Sequence, residues 1–192
     1  MQLNSVETFN FKGIEHCKIE LKSGFNLIIG ENGKGKTSIL EAMAVGLGGI
    51  FAGMSGGIAR NFSLDEVRTL YIKQGDGGYL PKSMWPCVQC EAEFADVEYS
   101  WTRKRDSVRS RTTMQPRELC HIAAKMAEDS EAVLPIISYQ SPARVFAQKR
   151  EKTKNVFQRK LYYRTVGYID CLAEAASTKM ILNWCARMEQ IS

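Results

Sequence analysis

Two periods of hydrophobic and polar residues alternate along the first fifty positions. Residues 1–9 and 14–21 read as two short strands, the second, Ile14-Glu15-His16-Cys17-Lys18-Ile19-Glu20-Leu21, alternating apolar and polar as a strand does. Lys12-Gly13 supplies the turn between them, and Lys22-Ser23-Gly24 supplies the next. Phe25-Asn26-Leu27-Ile28-Ile29 is an unbroken apolar run apart from Asn26, which predicts a buried strand. From Thr37 the period changes to that of a helix, with Ile39, Leu40, Met43, Ala44 and Leu47 on one face. Gly48-Gly49 ends it.

Further along, residues 48–60 are rich in glycine and small side chains and predict a loop. Cys87–Phe94 and Val97–Arg103 predict a hairpin turning at Ala95-Asp96, and Arg117–Ala127 a helix. Leu134-Pro135-Ile136-Ile137-Ser138-Tyr139 predicts a second buried strand. Ser177 to Ile191 predicts a helix whose apolar face carries Met180, Ile181, Trp184, Cys185 and Met188. No internal repeat is visible.

Composition narrows the class without naming a function. With 192 residues, 44% hydrophobic and 24% charged, the chain suits one folded domain or a large part of one, not a disordered segment. No apolar run is long enough to span a bilayer, and Met1-Gln2-Leu3-Asn4-Ser5 has neither the charge nor the apolar core of a signal peptide, so a cytoplasmic address is expected. The six cysteines are irregularly spaced, and Cys87-Val88-Gln89-Cys90 has only Cys120-His121 as a conceivable second zinc pair. A half-buried strand explains Val88 and Cys90 better than a zinc site does. A net charge of +5 permits a nucleic-acid partner without requiring one.

The sharpest chemistry lies between the second predicted turn and the first helix. Gly30-Glu31-Asn32-Gly33-Lys34-Gly35-Lys36-Thr37 fits the phosphate-loop pattern G-x-x-x-x-G-K-[ST]. By background frequencies it arises by chance in fewer than about 1% of chains this long. The glycines let backbone N–H groups turn inward around an anion, and the positive end of the following helix points to the same place. Lys36 is expected to reach the β- and γ-phosphates of ATP, and the Thr37 hydroxyl to ligate Mg²⁺. The expected nucleotide-binding set is therefore Gly30, Glu31, Asn32, Gly33, Lys34, Gly35, Lys36, Thr37 and Ser38.

Length alone would suit a small nucleotide or metabolite kinase, but two strand-like segments precede the loop here. That order resembles the heads of ABC and SMC-type ATPases, and Phe9-Asn10-Phe11-Lys12-Gly13 resembles the opening N-F-[RK]-[GS] of the SMC/RecF-like group. The segments Ser63–Arg68, Leu134–Tyr139 with Arg144 after it, Gly167–Leu172, and Trp184 with Met188-Glu189 follow in the order seen in bacterial AAA-type ATPases of that group. These include the PtuA-like ATPases of Septu and retron antiphage systems. The resemblance implies an α/β P-loop NTPase fold: an ABC/SMC-like head lobe with a mixed sheet and an antiparallel N-terminal layer. It implies a homodimer or higher oligomer formed through the head, a DNA-directed process, and a role in phage defence with a nuclease partner. Lys12 becomes a nucleotide contact or an ordinary turn lysine. Gln140 becomes a Q-loop ligand of Mg²⁺ or a polar residue at a strand end; here Gln140-Ser141-Pro142-Ala143 departs from the glycine-containing turn of the relatives.

Hydrolysis in such heads also requires a strand ending in Asp-Glu, a signature serine loop and a switch histidine. Phe62-Ser63-Leu64-Asp65-Glu66 is the nearest match to the acidic strand, and Arg60-Asn61 spoil its apolar lead-in. Tyr168-Ile169-Asp170 lacks the second acid, and neither His16 nor His121 is suitably placed. Residues 1–192 are thus expected to be the N-terminal part of one head, binding ATP without efficient turnover, with no catalytic residue identified. A nucleotide sensor that ends naturally at Ser192 is the alternative. The basic segment at about 144–164, with Phe157, Tyr162 and Tyr163 interleaved, could hold a phosphate backbone of DNA or RNA, or form a solvated face.

Overall fold

The computed structural model describes residues 1–54, 59–75, 77–94, 96–141, 164–173, 175 and 178–189. The predicted basic segment at about 144–164, except Arg164, lies outside them, as do the side chains of Met180, Ile181 and Met188. Strands β1 (Gln2–Phe11) and β2 (Ile14–Glu20) form the N-terminal hairpin. Helix α1 (Lys36–Leu47) follows, then the ribbon β3 (Arg68–Lys73) and β4 (Tyr79–Met84). Next come β5 (Cys87–Phe94), β6 (Val97–Lys104), β7 (Thr113–Gln115), α2 (Glu118–Glu128) and α3 (Thr178–Glu189).

One sheet has the order β2-β1-β5-β6-β7, and every pairing in it is antiparallel. Alternation assigns its two faces. Val6, Val88, Cys90, Ala92, Phe94 and Trp101 turn inward and are buried, while Glu7, Gln89, Glu91 and Thr102 turn outward. This is the antiparallel layer expected ahead of the phosphate loop, extended by the 87–104 hairpin.

Helix α1 covers the inner face through a side rotated from the one its apolar spacing predicts: Ala44 is common to both, and Met43 and Leu47 still pack against the core. Glu41, Ala42, Ala44, Val45 and Gly46 are buried, Leu40 is exposed, and Ile39, Met43 and Leu47 are only half-buried. Small residues decide this: a Cβ on Gly46 would lie 2.4 Å from Cys90 Sγ, so the helix backbone approaches β5 more closely than any side chain there would allow. Trp101 Nε1 donates to Gly46 O at 3.0 Å and fixes the same edge. The stretch after α1 is not a surface loop either. Ile50–Gly53 is a 3-10 turn, with Ile50 and Phe51 in the core and Phe51 packed on Tyr168.

Two predicted strands do not form. Phe25, Leu27 and Ile29 are 88%, 71% and 82% exposed, and residues 25–29 have no ladder partner. Residues 134–139 form no strand, with Ile136 99% exposed; Tyr139 is buried and takes its backbone bond from N–H to Cys171 O at 2.7 Å. A strand needs a neighbour to bond its backbone and a layer to cover its face, and neither segment meets one among the described residues. Helix α3 departs from prediction too: Trp184 and Cys185 are exposed, and among its described side chains Asn183 is buried.

Candidate functional site: a phosphate loop and its charged surround

The loop 30–35 turns directly into α1. Gly33 and Gly35 have φ of +82° and +85°, a left-handed region that costs a side-chain-bearing residue roughly 1 kcal/mol or more. Neither glycine is required for space: nothing lies within 4 Å of a Cβ on Gly33, and a Cβ on Gly35 would make only ordinary contact with Ile14 at 3.6 Å. They are there for backbone direction. Gly35 is the N-cap of α1 and provides no side-chain cap, and the first turn holds no acidic residue. The free N–H groups of that turn and the helix dipole are therefore left without a partner from the helix's own first turn, as a site for an anion requires. A cavity of about 280 Å³ lies there, lined by Asn32, Gly33, Gly35, Lys36, Thr37 and Ser38.

Lys36 Nζ donates to Gly30 O and Glu31 O, each at 2.7 Å. The loop thus curls around its own lysine, with the charge centred where a phosphate chain would lie. Lys34 and Glu31 form a loose exposed pair at 3.9 Å, so Glu31 presents its carbonyl, not its carboxylate, to Lys36.

Lys12 is near this machinery but engaged elsewhere. Its φ is +52°, its N–H donates to Glu66 O at 2.8 Å, and its ammonium is ion-paired with the buried Glu41 on α1, one turn beyond Thr37. Arg60 clamps the same region: Nη1 donates to Glu41 O at 2.6 Å and Nη2 to Glu66 Oε1 at 2.9 Å. Glu66 also accepts from Ser63 N–H at 3.0 Å, and burial pushes its carboxyl above the ordinary value despite Arg60 and Lys12. Asp65 is exposed, and the Ser63 hydroxyl holds its carboxyl below the ordinary value. The acidic pair nearest in sequence to a hydrolytic motif is therefore split: Asp65 faces solvent in a turn, and Glu66 builds a structural clamp.

In sequence Arg103 belongs to a basic cluster with Lys104, Arg105, Arg109 and Arg111, which gives no sign of its buried role. It is buried on the inner face of β6, with Nη1 donating to Val45 O and Arg60 O at 2.6 Å and Nη2 to Asn61 at 2.7 Å. No carboxylate is among these partners, and burial lowers its pKa to about 10. It ties the C-terminal end of α1 to the segment carrying Arg60. Strand alternation with Trp101 points it inward; only the rarity of buried arginine hid it. Gln140, by contrast, donates to its neighbour Ser138, and it does not line the loop cavity. Arg164, at the end of the basic segment, bonds the Met126 carbonyl in the last turn of α2 and the Asp129 and Ala132 carbonyls in the stretch that follows it. Cys90 is a core residue whose thiol is pushed up to about 12 by burial.

An α/β domain with a glycine-built loop entering a helix N-terminus, behind an antiparallel layer, is a P-loop NTPase domain. More particularly, the chain belongs to the AAA domain family, which matches residues 5–184. It is similar to the DNA replication and repair protein RecF of Aliivibrio salmonicida, at 46% identity over 69 residues, covering 35% of this chain and 19% of RecF. It is also similar to the DNA double-strand break repair Rad50 ATPase of Pyrococcus abyssi, at 45% identity over 47 residues, 24% of this chain and 5% of Rad50. The chain therefore corresponds to a small part of the length of either relative. A solved structure from work on "ATP-driven dimerization and DNA stimulated activation of SMC ATPases" overlaps 71% of this chain and 87% of its own, at 18% identity and TM-score 0.42. No helix among the described residues is long and apolar enough to cross a membrane.

Proposed function

We propose that this chain binds ATP·Mg²⁺ at Gly30–Ser38 and forms the N-terminal part of an SMC/RecF-like ATPase head serving a DNA-directed process. The observation that carries the binding reading is the loop itself. Left-handed Gly33 and Gly35, an uncapped helix start and the Lys36 ammonium converge on one cavity. Backbone N–H groups would hold the α- and β-phosphates, Lys36 the β- and γ-phosphates, and the Thr37 hydroxyl the metal. Bound Mg²⁺ would neutralise charge on the phosphate oxygens.

The exposed apolar segments 25–29 and 134–139 support the reading of residues 1–192 as part of a larger head. Strand-like sequence with Leu27, Ile29 and Ile136 in solvent is a surface built to be covered. The antiparallel layer ahead of the loop and the family membership favour this reading over a small-molecule kinase. A head that dimerises through bound nucleotide fits the resemblance, and so does the narrower reading of phage defence with a nuclease partner.

Binding and turnover separate in this account. Glu41 is held by Lys12, and Glu66 by Arg60 and Ser63, so neither carboxylate is free to activate water. Losing a single charge-stabilising group typically costs a factor of about 10² to 10³ in rate. Single-turnover hydrolysis with protein in excess over ATP should therefore show bound nucleotide and only background cleavage. A rate on the order of one per second, as in working enzymes, would contradict this.

A further inference from the structure

The ribbon β3–β4 stands apart from the main sheet, and its two faces differ. Register pairs Tyr71 with Pro81 and Lys73 with Tyr79. Tyr71, Lys73, Tyr79 and Pro81 therefore share one face, and all four are exposed, Tyr71 at 69% and Tyr79 at 65%. On the other face Arg68, Leu70 and Met84, at the base, are half-buried, while Ile72, Leu80 and Lys82 toward the tip are exposed, so the base of that side rests toward the body of the protein. Two further ties hold the ribbon's base. Arg68 Nη1 bonds Glu15 at 2.9 Å, and Phe11 bridges Val67. The tyrosine face is thus held outward.

We propose that this face is a stacking platform for single-stranded nucleic acid, with Tyr71 and Tyr79 taking two bases and Lys73 the adjoining phosphate. Diagonal neighbours across an antiparallel pair lie about 7–8 Å apart, within reach of neighbouring bases on an extended strand. Aromatic rings accept any base, and a lysine among them supplies the phosphate contact such sites require. Strands β3 and β4 contain Arg68, Lys73 and Lys82 and no Asp or Glu, and Asp76, between them in sequence, is the ribbon's one acidic residue. A protein partner fits less well. Pro81 lacks the N–H that strand addition on β4 would use, and Lys73 opposite Tyr79 would have to be desolvated at the centre of an apolar interface.

This platform does not depend on the ATP reading, because neither its residues nor its ligand involve the phosphate loop. The test is fluorescence anisotropy of a labelled oligothymidylate of about 15 nucleotides with the whole 192-residue chain. Tyr71→Ala and Tyr79→Ala should each weaken binding about five- to hundredfold without lowering the melting temperature, because both rings are in solvent. Tyr71→Phe and Tyr79→Phe, which keep the ring, should bind nearly as the parent. Lys73→Ala should flatten the log–log salt dependence by about 0.7. A duplex of equal length should bind more weakly and be indifferent to both tyrosine substitutions. Lys36→Ala should leave oligonucleotide binding in the absence of nucleotide intact, which separates failure of this inference from failure of the ATP reading. No oligonucleotide binding, affinity unchanged by both alanine substitutions, or equal losses in the phenylalanine variants would overturn the proposal. So would self-association of the chain that the alanine variants abolish.

Discussion

The Lys36 ammonium donates to the Gly30 carbonyl oxygen at 2.7 Å, so the phosphate loop is closed on its own lysine. Six residues apart, these two groups fix the loop's curvature and place the Lys36 charge at the mouth of α1. The carbonyl is replaceable by a phosphate oxygen, which is a stronger partner for an ammonium. Thr37 follows Lys36 on the first turn and lines the same cavity. If its hydroxyl ligates the metal, Thr37→Ala should weaken ATP binding in Mg²⁺ by about tenfold or more. Affinity measured in EDTA should not change. Equal losses with and without metal would remove Thr37 as a metal ligand.

Gly46→Ala tests the close approach of α1 to the sheet. Alanine gains about 1 kcal/mol of helix propensity over glycine. The added Cβ would lie 2.4 Å from Cys90 Sγ and 3.2 Å from Val88 Cγ1, both buried, and overpacking of this kind costs about 1–3 kcal/mol. The clash should win, giving a net loss in denaturant unfolding. Cys90→Ala removes the obstructing sulfur, so Gly46→Ala should be less harmful in that background. Equal losses in both backgrounds would contradict the packing described.

Glu66 predicts a pH dependence. Its folded carboxyl titrates above the ordinary value of 4.5 because burial outweighs Arg60 and Lys12. Its contribution to stability is then fully present below the unfolded value and is lost as pH rises through the folded one. Glu66→Gln keeps an oxygen for the Ser63 N–H and removes the titration. Thermal unfolding should show the parent losing stability, relative to the variant, as pH rises above about 4.5. Parallel curves would show that Glu66 is not held in a desolvated site.

Ile29 addresses the strand that does not form. In an exposed segment, Ile29→Lys should shift the stability of the 192-residue chain by no more than about 0.5 kcal/mol. A buried strand residue would cost several times that. A loss above about 2 kcal/mol would place residues 25–29 back inside a core.

Much of the architecture is legible in the residues because it is local. Alternation finds β1, β2, β5 and β6, and the glycine pattern with the helix behind it finds the phosphate loop. The misreadings share one cause. An apolar run such as Phe25–Ile29 reports that a strand wants covering, but not whether its cover is present. Apolar spacing on α1 favours Ile39, Leu40 and Met43, while the close approach is set by what is missing at Gly46. Charge by itself points a residue to solvent. Glu41, Glu66 and Arg103 are buried because they bond one another's neighbours: Arg60 bonds Glu41 O and Glu66, and Arg103 bonds Arg60 O. Such a network is set by tertiary approach, and no period in the sequence encodes it.

The most direct test of the central claim is titration calorimetry of ATP·Mg²⁺ into the parent chain and into Lys36→Ala. The substitution removes the full charge aimed at the phosphates. The fold should persist, because the partners lost are two loop carbonyls at an exposed site. The account predicts measurable binding by the parent and none by the variant, with matching unfolding curves. Equal ATP affinity in the two proteins would contradict it and take the phosphate loop out of the function.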